Sequence, residues 1–330
     1  MALLVQPLQV RSMKLSNRLV MPPMATAKAD AEGKITPAIL NYYDEKSKDG
    51  AIGLIIIEHS YVAPQGKSSP IQMSVTDDSC LPGLRALAAT IHRNGGKAAM
   101  QMNHAGCATT EEVIGVLPAG PSAVPHPRTG KITRELTVDE IENIIEAFAQ
   151  AARRTREAGF DAVEIHSAHG YLLNQFYSPL TNQRQDEFGG DTLGRIQLHL
   201  RIIRAVRQAV GDDFPILLRL GALDYMDGGS TIDDSLTAAR VFESAGVDIL
   251  DISGGFAGFD IPGLPSQGFF QDVTAAIKKE VKIPVILTGG ITEAAAAEQL
   301  LTEGKADLIG VGRAILKDSG WAARALASLE

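Results

Sequence analysis

Two imidazoles and a phenol lie within six positions of the stretch Val163–Tyr171, directly after an apolar run. Val163 and Ile165 alternate with polar residues, which predicts a short strand. Histidine and tyrosine side chains can donate hydrogen bonds, bind a metal or transfer a proton. His166 and His169 would face opposite ways in a straight strand, so the chain must turn if the rings are to converge. The stretch therefore predicts a reactive site at a strand end.

The composition limits the classes of partner. The chain has 330 residues, of which 45% are hydrophobic and 21% are charged, as in soluble globular proteins. A net charge of -8 and the lack of a dense basic cluster argue against nucleic acid. Cys80 and Cys107 are too few for a disulfide framework, which favours a reducing cytoplasmic location. No apolar stretch approaches the ~18 residues of a membrane span, so we expect no membrane partner.

The elements that must position these residues repeat along the chain. Each repeat is an apolar run of strand length followed by a stretch of helical periodicity. The clearest helix is predicted over 137–158, where Thr137 and Glu140 form a capping box. Eight such units predict an α/β fold, a (β/α)8 TIM barrel that forms a single domain over 1–330, rather than an open doubly wound sheet. The predicted strands are 19–21, 52–57, 98–102, 162–165, 216–220, 249–252, 285–288 and 308–311. The other predicted helices are 38–48, 84–93, 194–210, 235–245, 270–281, 294–301 and 321–329.

Two segments, 104–136 and 170–192, are too long to be simple connections. They follow the third and fourth predicted strands and so lie on the carboxyl-terminal face, where barrel enzymes have their active sites. Long ordered loops on that face usually cover a ligand. The segment Leu8–Leu15 is predicted to form an N-terminal hairpin that closes the opposite end of the barrel.

Glycines mark the ends of the last two predicted strands. Gly289 and Gly290 follow the seventh strand, and Gly312 and Arg313 follow the eighth. Such glycines expose backbone N–H groups beside a helix N-terminus, where barrels commonly bind phosphate, and an arginine would add a bidentate charge. Glycines at turns are also used for purely steric reasons. We interpret this pair of turns as a phosphate site.

Two kinds of barrel chemistry fit the strand ends poorly or only in part. A Schiff-base aldolase needs a lysine near a strand end, whereas Lys97 begins its strand. A metal-dependent lyase or hydrolase could use His166, His169, Glu58 or Asp251, but their spacing matches no recognisable ligand motif, and we predict no metal site. The metal enzyme remains the alternative.

A phosphate-bearing organic cofactor lying across the barrel mouth would use all the polar strand ends. Gln101 and Arg219 would meet its polar head, and the imidazoles would stay free for substrate. This is the hypothesis that we favour from the residues.

Seven segments form a pattern that is specific in residue type and in order. The run His166–Leu172 is followed by Ser178–Asn182 and Asp186–Gly190, and this combination is the most specific part. The other segments are Asn17–Met24, Gly53–Glu58, Gln101–Gly106 and Gly312–Arg313. Together they span nearly all of the chain and resemble the Old Yellow Enzyme family of flavin-dependent oxidoreductases.

The resemblance implies a noncovalently bound FMN that is reduced by NADH or NADPH and then reduces a small activated alkene, one conjugated to a carbonyl or similar group. It places Gln101 at the flavin pyrimidine edge, Arg219 near the position that becomes anionic, and the phosphate on Gly312 and Arg313. The residues expected at the cofactor are Pro22, Pro23, Met24, Ala25, His59, Gln101, Arg219, Gly289, Gly290, Gly312 and Arg313.

The catalytic residues implied by the resemblance are His166, His169 and Tyr171. The two histidines would hydrogen-bond the substrate carbonyl oxygen, and Tyr171 would protonate the α-carbon. Ala25 stands where the family usually has a cysteine or threonine, so a non-catalytic protein that binds flavin or a phosphometabolite is a further alternative. The resemblance is also compatible with a homo-oligomer.

Overall fold

Each of the predicted apolar runs forms a strand, and the eight strands are parallel and close into one barrel. The eighth strand pairs with the first, which confirms the predicted (β/α)8 fold. Residues on both faces of the strands are buried, which explains their continuous apolar sequence. The computed structural model describes residues 2–261, 263–264 and 267–330. The barrel strands, numbered one to eight in chain order, are Leu19–Met21, Leu54–Tyr61, Lys97–Asn103, Ala162–Ser167, Ile216–Leu223, Ile249–Gly254, Val285–Thr288 and Leu308–Gly310.

Helices occupy the segments between the strands. The predicted capping box is confirmed: the Thr137 hydroxyl accepts from the Glu140 N–H, and the Glu140 carboxylate accepts from the Thr137 N–H. The described part of the chain contains no helix long and apolar enough to cross a membrane. The α-helices are Pro37–Ser47, Leu81–Arg93, Glu111–Ile114, Val138–Glu157, Leu172–Tyr177, Thr192–Arg195, Gln197–Val210, Ile232–Ala245, Gln271–Glu280, Ala294–Thr302, Arg313–Lys317 and Trp321–Ala327. Three short 3-10 helices are Lys48–Gly50, Pro64–Gly66 and Asp78–Cys80.

The helix predicted over 194–210 is wrong in one respect, because Ile196 divides it into two helices. The buried Arg195 donates to the Tyr177 carbonyl at 2.8 Å and to the Asp234 carboxylate at 2.8 Å. These contacts hold the short first helix against the neighbouring loop. Helical periodicity alone does not contain this long-range constraint.

The amino-terminal end of the barrel is closed by the predicted hairpin, formed by the antiparallel strands Leu8–Val10 and Met13–Leu15. Val10, Met13 and Leu15 pack in one apolar cluster with inward-facing residues of all eight strands. A filled interior is usual for this fold, whose active sites lie at the carboxyl-terminal mouth. The strand residues in the cluster are Val20, Leu54, Ile56, Ala99, Ala162, Leu217, Ile249, Ile286 and Leu308.

The two long loops after strands three and four pack against each other. Gln175 donates to the Ala105 carbonyl at 2.9 Å and accepts from the Cys107 N–H at 3.0 Å. Arg184 donates to the Leu136 carbonyl at 2.7 Å and so ties the end of the first loop to the second. The loops are therefore an ordered rim beside the mouth. The first loop includes the short parallel strands Ala119–Gly120 and Arg134–Glu135.

Candidate active site

A cavity of about 860 Å³ lies at the carboxyl-terminal mouth of the barrel. Its size is in the range of small-molecule and cofactor sites. All residues that the sequence predicts for the site line this cavity. They are Pro22, Pro23, Met24, Ala25, His59, Gln101, His166, His169, Tyr171, Arg219, Gly289, Gly290, Gly312 and Arg313.

The turn after strand four brings the two imidazoles and the phenol together. His169 (φ +61°) and Gly170 (φ +78°) adopt left-handed backbone conformations, and they reverse the direction of the chain. The ring centroids of His166 and His169 are 5.1 Å apart, and that of Tyr171 is 5.3 Å from that of His166. Ser253 on strand six fixes the His169 ring through a 2.8 Å contact to Nε2. A positive φ at a non-glycine residue is costly, and such strain is concentrated at functional sites.

The imidazoles of this cluster are neutral at neutral pH. Burial, with the neighbouring positive charge of Arg219, holds the pKa values of His166 and His169 well below the usual range. A neutral imidazole keeps one N–H donor. Burial raises the pKa of Tyr171, against a lowering by the Ser68 hydrogen bond, so the phenol keeps its proton. The cluster therefore offers three uncharged hydrogen-bond donors.

Below the cluster lies a layer of buried polar side chains from strands three to six. The Gln101 amide nitrogen donates to the Glu164 carboxyl at 2.7 Å, which leaves its carbonyl oxygen free to accept from a ligand. Arg219 lies 3.2 Å from the carboxylate of Asp251. Burial, together with the charge of Asp251, raises the pKa of Glu164 to about 8, and burial also raises that of Asp251. Gln101 thus contacts one buried carboxyl group and Arg219 the other, and burial favours the protonated form of both.

We call Gln101, His166, His169, Tyr171 and Arg219 the polar wall of the cavity. All of them project from the ends of strands three to five or from the turn after strand four. His166 and Arg219 are 2% and 4% exposed. The Nδ1 atom of His166 has no hydrogen-bond partner among the residues that the structure describes. A buried polar atom without a partner is costly, so this wall is suited to a polar ligand.

The opposite side, formed by Gly289, Gly290, Gly312 and Arg313, is the glycine wall. Gly290 has a φ of +67°, a conformation that favours glycine. A Cβ atom at Gly312 would stand 3.3 Å from the Met24 sulfur. A larger residue would therefore crowd residues 22–25, which follow the first strand and are called the first-strand segment. This wall presents mainly backbone to the cavity, as phosphate sites in barrels do.

Arg313 has an acidic partner that the sequence analysis did not anticipate. Its guanidinium donates to the Asp260 carboxylate at 2.8 Å and lies 5.6 Å from the centre of the Phe269 ring. Asp260, Phe259 and Arg128 also line the cavity. The length of the segment 255–270 after strand six could have indicated from sequence that Asp260 and Phe259 border the cavity, because long loops on this face commonly border a ligand. A phosphate on the glycine wall would compete with Asp260 for Arg313.

The first-strand segment reaches the cavity without a hydroxyl or thiol. Ala25 lines the cavity. The Thr26 hydroxyl and N–H both donate to the Glu58 carboxylate, at 2.6 and 2.8 Å. Thr26 therefore does not replace the side chain that Ala25 lacks, since its hydroxyl is already bound to Glu58.

Both carboxylates considered for a metal site are held by other partners. Glu58 bonds to Thr26, and Asp251 pairs with Arg219. Over residues 2–261, 263–264 and 267–330, no group of three or more histidine, cysteine, aspartate or glutamate side chains could hold a metal ion.

The fold and the cavity define the class of (β/α)8 barrels with a ligand site at the carboxyl-terminal mouth. Residues 3–330 match the sequence model of the NADH:flavin oxidoreductase / NADH oxidase family, and the chain belongs to that family. This is the flavin oxidoreductase family that the seven sequence segments resemble.

Three similar proteins span different lengths. The chain is 41% identical to an NADH oxidase from Thermoanaerobacter brockii over 96% of its own length and 50% of the relative. It is 37% identical to an NADPH dehydrogenase from a Geobacillus species, over 97% of the chain and 92% of the relative. A solved 2-naphthoyl-CoA reductase in complex with 2-naphthoyl-CoA has a TM-score of 0.94 at 27% identity, over 99% of the chain and 52% of that structure. The chain thus spans about half of two of these proteins and nearly all of the third.

Proposed function

We propose that the protein is an FMN-dependent oxidoreductase that takes electrons from NADH or NADPH and reduces the C=C bond of an α,β-unsaturated carbonyl compound or a related electron-poor alkene. The observation that carries this proposal is the polar wall, where three neutral donors converge at a cavity opposite the glycine wall. Membership of the family supports the cofactor, and the names of the two relatives support the nicotinamide. The thioester of 2-naphthoyl-CoA, conjugated to its ring, is in keeping with the substrate class.

The residues around the cavity fit FMN. Gln101 and Arg219 supply a buried acceptor and a buried cation for the polar edge of a ring system. Apolar residues of the first-strand segment suit a flat aromatic face, and the glycine wall with Arg313 suits a phosphate. When bound, FMN would supply a site that accepts hydride from the nicotinamide and donates it to the alkene. The residues expected to contact the ring face are Pro22, Pro23, Met24 and Ala25.

His166 and His169 would bind the substrate through its carbonyl oxygen. Negative charge grows on that oxygen as hydride reaches the β-carbon, and N–H donors placed there beforehand stabilise it. Because both imidazoles are neutral, they donate hydrogen bonds without transferring a proton to the oxygen. The contact of His169 with Ser253 restricts its ring, so little reorganisation is needed during the reaction.

Tyr171 would complete the reaction as the general acid. Its phenol keeps its proton at neutral pH, and its ring lies beside His166 on the wall that orients the carbonyl. The O–H bond of Tyr171 breaks, the proton passes to the α-carbon, and the negative charge moves to the phenol oxygen. General acids contribute about 10²- to 10⁴-fold to rate.

Visible spectroscopy under anaerobic conditions tests the proposal. The protein should bind added FMN, NADH or NADPH should bleach the flavin absorbance, and an enone such as 2-cyclohexenone should restore it. Failure to bind FMN would overturn the proposal. If FMN binds but neither nicotinamide bleaches it, the non-catalytic flavin-binding alternative replaces it.

A further inference from the structure

His59 on strand two lies beside the Tyr171 phenol, although 112 positions separate them in sequence. The Nε2 atom of His59 is 3.4 Å from the Tyr171 hydroxyl and 3.4 Å from the Ser68 hydroxyl. The ring centroids of His59 and Tyr171 are 5.3 Å apart. His59 is predicted from sequence as a cofactor residue, and that role stays a prediction. Its nearest polar contacts point to a second role.

The position of Ser68 relative to His59 is fixed by a buried glutamine. The Ser68 N–H and hydroxyl both donate to the Gln72 side-chain oxygen, at 2.6 and 3.0 Å. The Gln72 side-chain nitrogen donates to the His59 carbonyl at 3.1 Å, and Gln72 is 4% exposed. The segment from Ser68 to Gln72 is therefore held against the strand that carries His59. The same hydrogen bonds help to fix strand two where His59 approaches Tyr171.

The surroundings keep His59 uncharged and the Tyr171 phenol protonated, because burial raises the pKa of that phenol. Burial, with the charge of Arg219 on strand five, lowers the pKa of His59 to about 4. The other titratable rings of the cluster, His166 and His169, are neutral as well. Arg128, from the loop after strand three, acts on the Tyr171 phenol and lowers its pKa. A neutral imidazole here can donate a hydrogen bond but does not act as a strong acid.

We propose that His59 is a positioning residue for Tyr171: its Nε2–H donates to the phenol oxygen as that oxygen becomes anionic, which makes Tyr171 a stronger acid. This inference rests on the proposed function. The proton of Tyr171 goes to the α-carbon, and the negative charge passes from the substrate to the phenol oxygen. A proton taken up from bulk solvent then restores the phenol, and His59 is neutral throughout. A hydrogen bond to a charged oxygen is stronger than one to a neutral oxygen, so its benefit appears as charge develops.

Ultraviolet titration of tyrosinate in the purified protein tests this role. The titration curve of each protein is compared with that of the same protein carrying Tyr171→Phe, so that the difference isolates Tyr171 from the other five tyrosines. His59→Phe keeps the ring and removes the donor, and it should raise the Tyr171 pKa by one unit or more. His59→Gln, with an amide N–H, should recover at least half of that shift. An unchanged Tyr171 titration in His59→Phe would overturn the proposal.

A purely structural role of His59 predicts the opposite sign. Loosening the wall would admit water, and water favours the ionised phenol and lowers its pKa. A lowered Tyr171 pKa in His59→Phe therefore also overturns the proposal. His92→Ala serves as the matched control, because His92 lies on the helix Leu81–Arg93 and contacts Asp161 instead. That variant should titrate like the unaltered protein, and if His59→Phe does not fold, His59→Leu takes its place.

The titration needs neither nicotinamide nor substrate, so its outcome is separable from that of the proposed function. If the unaltered protein does not reduce an enone, the proposed function fails even where the Tyr171 shift is observed. If the enone is reduced but the shift is missing, only the role of His59 fails. In the active holoenzyme, His59→Phe should also shift the pH profile of flavin reoxidation to higher pH, because the pKa of Tyr171 is expected to rise.

Discussion

The two walls of the cavity use different parts of the chain. The polar wall projects side chains from strands three to five, and beneath it the buried carboxyl groups of Glu164 and Asp251 contact Gln101 and Arg219, respectively. The glycine wall presents backbone, and its one charged side chain, Arg313, is half-exposed and paired with the exposed Asp260. Buried charges need partners, whereas an exposed pair contributes little to stability. We therefore expect changes to the polar wall to affect both chemistry and folding, and changes to the glycine wall to affect mainly binding.

The largest expected effect separates chemistry from binding on the polar wall. Tyr171→Phe removes the proposed proton donor and should slow reoxidation of reduced flavin by an enone by about 10²- to 10⁴-fold. Reduction by the nicotinamide should change far less. Stopped-flow measurement of both half-reactions checks this, with Tyr225→Phe as a control, since Tyr225 contacts Phe270 and lies apart from the cluster. Equal losses in both half-reactions would contradict the proton-donor role.

The next effect concerns folding and compares one arginine from each wall. Arg219→Met leaves Asp251 buried without its cation and should lower the free energy of unfolding by about 3–5 kcal/mol. Arg313→Met breaks the exposed pair with Asp260 and should cost about 0–1 kcal/mol. Urea unfolding of the two variants, followed by circular dichroism, measures both values. Similar losses would remove the contrast between the walls.

A pH-dependent effect should be specific to the polar wall. Burial, together with the charge of Asp251, raises the pKa of Glu164 from its ordinary value of 4.5 to about 8. A group whose pKa is higher in the folded state contributes stability that is present below its unfolded pKa and is lost as pH rises through the folded pKa. Between about pH 5 and 8, the stability of the unaltered protein relative to Glu164→Gln should therefore fall, by at most about 1.4 kcal/mol per pH unit. Parallel pH profiles for the two proteins would show that Glu164 does not titrate in this range.

The smallest effect concerns two glycines with the same backbone conformation. Gly290 on the glycine wall and Gly304 on a surface turn have φ values of +67° and +69°. Alanine at either position should cost about 1–2 kcal/mol of stability, because the left-handed conformation disfavours Cβ. Only Gly290→Ala should also weaken FMN, by roughly tenfold for about 1.4 kcal/mol. Equilibrium titration of the apoprotein with FMN measures this, and equal affinities in both variants would exclude Gly290 from the cofactor site.

The meeting of the strand-end residues in one site was predictable, because a barrel brings the carboxyl-terminal ends of all its strands together. Once eight apolar runs indicate a barrel, the residues after each run must meet at the carboxyl-terminal mouth, whatever their separation in sequence. This is why the sequence alone groups His166, Arg219 and Gly312 at one site. The hairpin was predictable in the same way, since a short alternating segment before the first strand has few other places to pack.

Contacts that depend on register or on loop conformation were not predictable. Gln101 meets Glu164 because the two residues are paired across strands three and four, and periodicity does not determine that register. The approach of His59 to Tyr171 depends on the left-handed turn at His169, which sequence does not specify for a non-glycine residue. Asp260 reaches Arg313 from the segment after strand six. Each of these contacts arises from tertiary structure and has no local sequence signal.

The apolar cluster that the hairpin forms with the eight strands at the amino-terminal end affects how the chain folds. Met13 and Leu308, near opposite ends of the sequence, belong to the same cluster. The cluster therefore cannot be fully covered until the eighth strand has arrived, and a chain emerging from the ribosome must keep its hairpin exposed until that strand has been synthesised. Closing so long a loop costs only slightly more entropy than closing a shorter one, but pairings of this range form slowly. Before the barrel closes, the exposed apolar residues of the hairpin can bind chaperones or the hairpin of another nascent chain.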